Sequence, residues 1–210
     1  FAWSGWWYVF DFILVSMRED HFHSKRELRI GIDIKLIDWI FSLGFNPLLI
    51  SDLNTLNYFH NQSLFKISGI ILSGGDLNRN SARYKIEKKL ADISKKKGIP
   101  LLGICHGLQF INLIDGGSLK KVENHVGTNH KIKSKGDYPL IVNSFHNYGI
   151  NKLGKNFRII SKSNDGVIEA ISHKKFNWLG WMWHPERDKI FNRKLIRIAK
   201  NFFNIDKLKK

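Results

Sequence analysis

The first half of the chain alternates short apolar runs with longer segments of helical periodicity. The runs are rich in Ile, Leu and Val and nearly continuously apolar, which is typical of strands buried on both faces of a parallel sheet. Gly44 and Gly98 follow two of the helical segments, where a helix commonly ends. The predicted strands are residues 12–17, 47–51, 67–73 and 99–104, and the predicted helices are residues 28–43, 81–97 and 106–114. This pattern indicates repeated βα units.

After Gly116 and Gly117 the segments become shorter and more polar. They indicate strands joined by turns, in an antiparallel extension of the main sheet, before a closing helix. The predicted strands are residues 140–143, 157–162, 167–171 and 178–183, and the helix is residues 188–203. We therefore predict an α/β fold: a three-layer sandwich with a mostly parallel central sheet and a small antiparallel extension.

The amino-terminal segment differs from the rest, with seven aromatic residues among the first twelve and no initial Met. We interpret residues 1–11 as an aromatic-rich extension and residues 12–210 as a single domain, since no repeat or linker divides them. The apolar run is broken at Asp11, is too short to span a bilayer and lacks the pattern of a secretory signal. We expect a cytoplasmic protein with no membrane partner.

The composition, 43% hydrophobic and 25% charged, is that of an ordinary globular protein. The net charge of +16, from 34 Lys and Arg against 18 Asp and Glu, is compatible with nucleic-acid or anionic small-molecule partners. The basic residues are scattered, and no recognition helix, zinc-finger spacing or aromatic platform accompanies them. We expect no nucleic-acid partner, whereas an anionic substrate fits the charge.

The single cysteine, Cys105, cannot form an internal disulfide, which favours a reducing compartment. It follows an apolar strand and precedes an amphipathic helix, with Gly103 and Gly107 two residues to either side. This G-x-C-x-G pattern is that of a nucleophile elbow, in which small residues let a sharp strand-to-helix turn close. The helix amino terminus favours thiolate, and the backbone N–H of His106 can meet a developing oxyanion. The alternative is an inert buried cysteine.

A thiol nucleophile needs a base, and the base needs an orienting group. Of nine histidines, His184 is the best placed, because it follows an apolar strand and precedes Pro185 and Glu186. The proline stiffens the turn that presents imidazole and carboxylate together. The alternatives are a satisfied core histidine and a simple ion pair between Glu186 and Arg187.

These motifs resemble the class I glutamine amidotransferase superfamily, particularly its γ-glutamyl hydrolase branch. The similarity extends over about residues 12–203, through segments 70–75, 103–109, 143–146, 165–170 and 184–186 in consistent order. It implies the flavodoxin-like fold of that family and a Cys-His-Glu triad that hydrolyses a γ-glutamyl amide through a glutamyl thioester. The chain is most similar to small stand-alone members of bacterial surface-polysaccharide clusters, some of which hydrolyse γ-glutamyl-CDP-amidate.

The resemblance also implies a role for each matching residue. Cys105 would be the nucleophile, His184 the general base and acid, and Glu186 the group that orients the imidazole. The backbone N–H groups of Gly75 and His106 would form the oxyanion hole. The glutamyl group would be held by five further residues: Gly74, Gln109, Ser144, Phe145 and His146.

Two functional alternatives remain at this point, and no cofactor is expected. The chain could be a glutaminase subunit that delivers ammonia to a partner synthetase, or a non-enzymatic binding protein on the same fold. His125 and His130, like the pair His21 and His23, match no strong zinc spacing and have few carboxylates nearby in sequence. We therefore predict no metal site, and thioester chemistry requires neither a metal nor an organic cofactor.

Overall fold

The computed structural model describes residues 11–22, 24, 26–60 and 66–204. The strands are β1 (Asp11–Ser16), β2 (Arg18–Phe22), β3 (Glu27–Gly31), β4 (Asn46–Ile50), β5 (Lys66–Leu72), β6 (Leu101–Ile104), β7 (Ser118–Lys121), β8 (Val126–Ser134), β9 (Ile141–Phe145), β10 (Tyr148–Lys152), β11 (Phe157–Ser163), β12 (Ile168–His173) and β13 (Trp178–Trp181). The helices are α1 (Ile34–Ser42), α2 (Leu53–His60), α3 (Ala82–Lys97), α4 (His106–Ile114) and α5 (Arg193–Phe203).

A sheet of nine strands forms the centre of the molecule, in the order β4-β1-β5-β6-β13-β12-β11-β8-β9. The first five strands run parallel, and from β13 onward the neighbours pair antiparallel. Strand β13 thus joins the two halves, pairing in parallel with β6 and antiparallel with β12. Two small antiparallel sheets, β2-β3 and β7-β10, lie beside it.

Helices cover both faces of the sheet, as nearly continuous apolar strands require. Along β1, Ile13 and Val15 pack into one core with α1 and α5, whereas Leu14 packs into a second core with α2, α3 and α4. This alternation is the two-residue period of a strand buried on both sides. The predicted three-layer α/β sandwich with an antiparallel extension is confirmed.

The predicted helix over residues 28–43 was wrong in its first part. Residues 27–31 form β3 of a hairpin with β2, and Leu28 and Ile30 are 53% and 44% exposed, so their apolar side chains do not form a helix face. The helix begins only after Asp33, whose carboxylate caps it by accepting from the backbone N–H of Lys35 at 3.0 Å. Asp33 marks the true start of the helix in the sequence, but the apolar spacing of Leu28 and Ile30 suggested an earlier start.

Other element boundaries in the structure also differ from the predicted ones. The closing helix begins at Arg193 rather than residue 188, because Asn192 caps it. Helix α2 and strands β2, β7, β8 and β10 were not predicted, since their segments are short, polar or only weakly periodic. Helix α3 matches its prediction, capped by Ser81 and ended by Gly98 at φ +70°.

The aromatic-rich extension lies, apart from Asp11, outside the described residues, and the division into residues 1–11 and 12–210 stays a prediction. Within the described part of the chain, each helix is too short or too polar to cross a membrane.

Candidate active site

Cys105 occupies a sharp turn between the buried strand β6 and helix α4. Its backbone has φ 49° and ψ −100°, a conformation that costs energy for a residue with a side chain. A Cβ at Gly103 would lie 2.5 Å from the backbone of Gly107, and a Cβ at Gly107 would lie 2.3 Å from the Leu72 carbonyl oxygen. Both glycines are therefore required by the close approach of α4 to the sheet, as the elbow pattern predicted.

His184 reaches the thiol because β13 lies beside β6. Gly103 pairs with Gly180 and Ile104 with Trp181, so the chain emerges from the two strands at neighbouring points. The Cys105 thiol lies close enough to the His184 imidazole to raise its pKa, although the two residues are about eighty positions apart. The fold thus brings the predicted nucleophile and the predicted base together.

Glu186 accepts a hydrogen bond from Nδ1 of His184, with 2.6 Å between nitrogen and Oε1, and both side chains are 2% exposed. Burial alone would lower the pKa of the imidazole, but the hydrogen bonds and charges of Cys105 and Glu186 outweigh it and raise the pKa of His184 to about 9. The imidazole thus carries its proton at neutral pH. An imidazolium beside the sulfur stabilises thiolate and can later protonate a leaving group.

Asn143 holds the backbone of His184, a contact that the motifs did not indicate. Its Oδ1 accepts from the His184 N–H at 2.9 Å, and its Nδ2 donates to the His184 carbonyl at 2.7 Å and to Asp188 at 2.8 Å. Asn143 lies in the segment that resembled the family, but only the fold shows that its amide faces His184. It is a positioning residue.

A cavity of about 580 Å³ opens onto the thiol. Although Cys105 is only 5% exposed, it lines this cavity, so the sulfur is accessible. Six of the lining residues matter below: Gly75, Arg79, Cys105, Gln109, Phe145 and His146. The cavity joins the predicted nucleophile to several of the predicted substrate residues.

The turn predicted to supply an oxyanion donor lies against the imidazole. Gly75 has φ +138°, which favours glycine, and a Cβ at Gly74 would lie 2.4 Å from Cε1 of His184. The side chain of Arg83 holds this turn by donating hydrogen bonds to the carbonyls of Ser73 at 2.6 Å and Gly74 at 3.1 Å. The backbone of the turn is thereby immobilised next to the thiol.

Arg83 belongs to a buried ionic network that sequence reasoning missed. Glu87 accepts from Nε of Arg83 at 2.8 Å, from the Ser16 hydroxyl at 2.8 Å and from Nε2 of His106 at 2.7 Å. Burial would raise the pKa of Glu87, but the charges of His106 and Arg83 outweigh it and lower that pKa. The network ties both predicted oxyanion donors, the turn at Gly75 and the helix start at His106, to helix α3.

The predicted substrate residues have different surroundings. Gln109 lines the cavity, and its amide donates to the Tyr148 carbonyl at 2.9 Å. Phe145 is 38% exposed at the cavity and packs edge-on against the His184 ring, with 5.9 Å between ring centroids. These positions are compatible with substrate contact.

The side chain of Ser144 does not face the cavity. It is fully buried, its hydroxyl donates to the carbonyl of His125 at 2.7 Å, and it is not among the residues lining the cavity. His146 reaches the cavity, but its Nδ1 donates to the Tyr148 carbonyl at 3.1 Å and its Nε2 points to a buried cluster. Side chains alternate along a strand, which turns Ser144 inward while Phe145 faces out.

Comparison with known proteins agrees with this geometry. The family model for class-I glutamine amidotransferases matches residues 40–203. The chain belongs to this family. It is 36% identical over 207 residues to the γ-glutamyl-CDP-amidate hydrolase of Campylobacter jejuni, covering 93% of this chain and 99% of that protein. It is 31% identical to the GMP synthase of Francisella tularensis subsp. novicida over 66% of this chain but only 27% of that protein.

Two solved structures share the fold. A GMP synthase subunit from Thermoplasma acidophilum matches with a TM-score of 0.70 at 21% identity, covering 96% of this chain and 98% of that one. A glutamine amidotransferase from Thermotoga maritima matches with a TM-score of 0.63 at 17% identity, covering 95% and 86%. The chain is thus an enzyme of a family that acts on C–N bonds, and membership favours the enzymatic predictions over a non-enzymatic binding protein.

Proposed function

We propose that the protein hydrolyses the γ-glutamyl amide bond of a nucleotide-linked substrate such as γ-glutamyl-CDP-amidate, with Cys105, His184 and Glu186 as catalytic residues. The observation that carries the proposal is a buried imidazole that is hydrogen-bonded to a carboxylate and lies beside the Cys105 thiol, which lines a cavity of about 580 Å³. The 36% identity to γ-glutamyl-CDP-amidate hydrolase along nearly the whole of both chains supports the choice of substrate.

The reaction begins when the Cys105 thiolate attacks the δ-carbonyl carbon of the glutamyl group. The carbonyl oxygen becomes an oxyanion and accepts hydrogen bonds from the backbone N–H groups of Gly75 and His106. The imidazolium of His184 gives its proton to the nitrogen of the leaving group, the C–N bond breaks, and a glutamyl thioester remains. Glu186 keeps the ring oriented and stabilises its charge throughout.

Water completes the cycle. The now neutral His184 removes a proton from the water molecule as its oxygen attacks the thioester carbonyl. The C–S bond breaks, glutamate leaves, and the thiolate and imidazolium are restored. A γ-glutamyl-CDP-amidate substrate would release glutamate and cytidine diphosphoramidate.

Arginine side chains in and around the cavity could bind a diphosphate leaving group, although Asp76 also lines the cavity. Arg79 lines the cavity itself, and Arg18 lines an adjoining cavity that shares Gly75 and Asp76 with it. Arg187 lies over the Phe145 ring, 4.8 Å from its centroid. Guanidinium groups bind phosphate oxygens in bidentate geometry, so we assign the diphosphate to these side chains and first of all to Arg79.

The test is glutamate release from three substrates: γ-glutamyl-CDP-amidate, γ-glutamyl-aminobutyrate and glutamine. We expect the nucleotide conjugate to have the highest kcat/KM, and Cys105→Ser to abolish release with an unchanged circular dichroism spectrum. Arg79→Gln should raise KM for the conjugate without changing the rate on glutamine. Full turnover by the Cys105→Ser protein would contradict the proposed nucleophile, and equal kcat/KM on all three substrates would contradict the proposed leaving group.

A second candidate is a glutaminase subunit that passes ammonia to a partner synthetase. Its support is the structural match to the GMP synthase subunit from Thermoplasma acidophilum, which is covered over 98% of its length. This alternative requires low activity on glutamine alone and a large increase when the partner is added. Glutamine assays with and without candidate synthetases separate the two.

The cellular setting is part of the same proposal. A nucleophile that is the only cysteine of the chain must stay reduced, which favours the cytoplasm. A nucleotide-linked amidate is an activated group donor, so we place the reaction in surface-polysaccharide biosynthesis. Glycan analysis of a strain lacking the gene, complemented with the wild type or with Cys105→Ser, tests this setting.

A further inference from the structure

Behind the cavity wall lie four residues that the proposed reaction does not use. This histidine cluster consists of His125, His130, His146 and Glu169, which approach from β8, from the end of β9 and from β12. Oε1 of Glu169 lies 3.5 Å from Nδ1 of His125, 3.3 Å from Nε2 of His130 and 3.5 Å from Nε2 of His146. Three imidazole nitrogens thus converge on one carboxylate oxygen.

The carboxylate of Glu169 is buried without a hydrogen bond. The residue is 0% exposed, and neither of its oxygens has a hydrogen-bond partner of good geometry among the described residues. Nε2 of His130 is likewise buried and unpartnered there. A buried charge is costly unless it is paired, hydrogen-bonded or bound to a metal ion. The cluster therefore requires a positive charge, which either a protonated histidine or a bound cation supplies.

His125 and His146 each make a hydrogen bond on the side of the ring that faces away from Glu169. That bond determines which ring nitrogen carries the proton and which has a free lone pair. Nε2 of His125 bonds to the carboxylate of Asp165 at 2.9 Å, and Nδ1 of His146 bonds to the Tyr148 carbonyl at 3.1 Å. Both partners accept, so these nitrogens carry the protons, and in the neutral rings Nδ1 of His125 and Nε2 of His146 are unprotonated. These two atoms face each other at 3.3 Å. Metal-binding histidines commonly have this outer hydrogen bond.

The spacing of the inward atoms is that of metal ligands. Zinc bonds of about 2.0–2.2 Å place the ligand atoms of a tetrahedron about 3.3–3.6 Å apart. Oε1 of Glu169 lies 3.5 Å from Nδ1 of His125 and 3.3 Å from Nε2 of His130. Imidazole and carboxylate are ligands that divalent zinc and its first-row neighbours accept. The candidate ligand atoms of His125, His130 and Glu169 all lie within 4.8 Å of one another.

We propose that the histidine cluster binds one divalent transition-metal ion of the zinc type. His125, His130 and Glu169 would be its ligands. Asp165 would orient His125 from outside, and His146 would lie beside the ion. Three protein ligands leave the fourth position of a tetrahedral site open. The sequence spacing did not reveal the site because Glu169 enters from a strand far along the chain.

The ion would act on the active site through the cavity wall. His146 lines the cavity and follows Phe145, whose ring packs against His184. Binding would tie β8 to β12 beside His146. The metal site does not depend on which leaving group the enzyme accepts, so it can be tested independently of the proposed function.

The test measures metal content and thermal stability of tag-free protein. Inductively coupled plasma mass spectrometry of wild type, stripped with chelator and reloaded with Zn²⁺, should find about one ion per chain. Glu169→Gln and His130→Gln should bind no stoichiometric metal. Asp165→Asn, at an exposed side chain, should retain the site but weaken Zn²⁺ by about tenfold or more. Co²⁺ loading should give the intense visible absorption of a tetrahedral site in the wild type.

His173→Gln is the matched control, since it removes a buried histidine outside the histidine cluster. It should bind Zn²⁺ as the wild type does. Zn²⁺ should raise the melting temperature of the stripped wild type and of this control, but not of the two ligand variants. If Glu169→Gln does not fold, His130→Gln and the stripped wild type decide the matter.

Two results would overturn the proposal. The first is a folded wild type that takes up no stoichiometric Zn²⁺ and whose melting temperature does not respond to it, which would mean that protons neutralise the cluster. The second is equal metal uptake by the wild type, both ligand variants and the control, which would mean binding elsewhere on the surface.

Discussion

Replacing Glu186 by Gln tests the central electrostatic argument, because it removes one charge and little volume. The carboxylate lies 2.6 Å from Nδ1 of His184 and helps to raise the imidazole pKa from its usual 6.5 to about 9. That increase corresponds to about 3 kcal/mol at 1.36 kcal/mol per pKa unit. Burial opposes this increase, so the favourable contributions of Cys105 and Glu186 together exceed it.

The pH dependence of stability follows from the sign of this shift. A group whose pKa is higher in the folded state stabilises the fold fully below its unfolded pKa and loses that contribution as the pH rises through the folded value. For His184 the loss falls between pH 6.5 and about 9. In Glu186→Gln, chemical denaturation across this window should show a smaller loss and a lower free energy of unfolding at its acidic end.

The activity should fall more steeply than the stability. A glutamine no longer stabilises the imidazolium and can donate to Nδ1, which favours the wrong tautomer. A loss of about 10²- to 10⁴-fold in kcat is the scale known for a neutralised orienting carboxylate. Asp137→Asn is the matched control, since it removes an exposed carboxylate that pairs with Lys194 and Arg197 and does not line the cavity. Wild-type kcat and an unchanged pH profile in Glu186→Gln would refute the reasoning.

Three further substitutions probe the support of the site. Gly107→Ala places a methyl group 2.3 Å from the carbonyl oxygen of Leu72 in β5 and should cost about 1–3 kcal/mol of stability by urea denaturation, with lower kcat. Asn143→Ala leaves the backbone N–H of His184 without its acceptor and removes one of two donors to the His184 carbonyl. It should cost about 2–4 kcal/mol and lower kcat while the KM changes little. Arg83→Met leaves Glu87 buried with one charge partner fewer and should cost about 3–5 kcal/mol of stability, with reduced activity in the fraction that folds.

A specific result would contradict each of these three predictions. Wild-type stability in Gly107→Ala would mean that α4 can move away from β5. An Asn143→Ala enzyme with unchanged kcat would show that the Pro185 turn positions the imidazole alone. An Arg83→Met protein as stable as the wild type would show that the ionic network contributes little, as some buried ion pairs do.

Local patterns predicted the parts of the site whose geometry is local. The elbow at Cys105 and the turn from His184 to Glu186 each need residues within a few positions of one another, so their spacing is visible in the chain. Strands buried on both faces are likewise marked by continuous apolar runs. Helix α1 was predicted too long because Leu28 and Ile30 continue its spacing by chance.

The parts that the chain did not reveal depend on contacts between distant segments. The amide of Asn143 meets His184 only because β9 and the end of β13 come together in the fold. Arg83 reaches Ser73 across the gap between α3 and β5, and no local pattern marks such a pair. Side-chain direction on β9, which turns Ser144 away from the cavity, follows from a strand register that the sequence does not specify.

The pairing of β13 with β6 positions the reacting groups independently of the residues that select the leaving group. Hydrogen bonds between two backbones set the separation of sulfur and ring, whereas the surface that meets the leaving group is built from excursions such as residues 76–80, which follow the oxyanion turn. Those excursions can therefore be exchanged or lengthened without disturbing the reacting pair. Grafting this stretch from a relative with another preference should redirect the enzyme to a new amine while the thioester still forms.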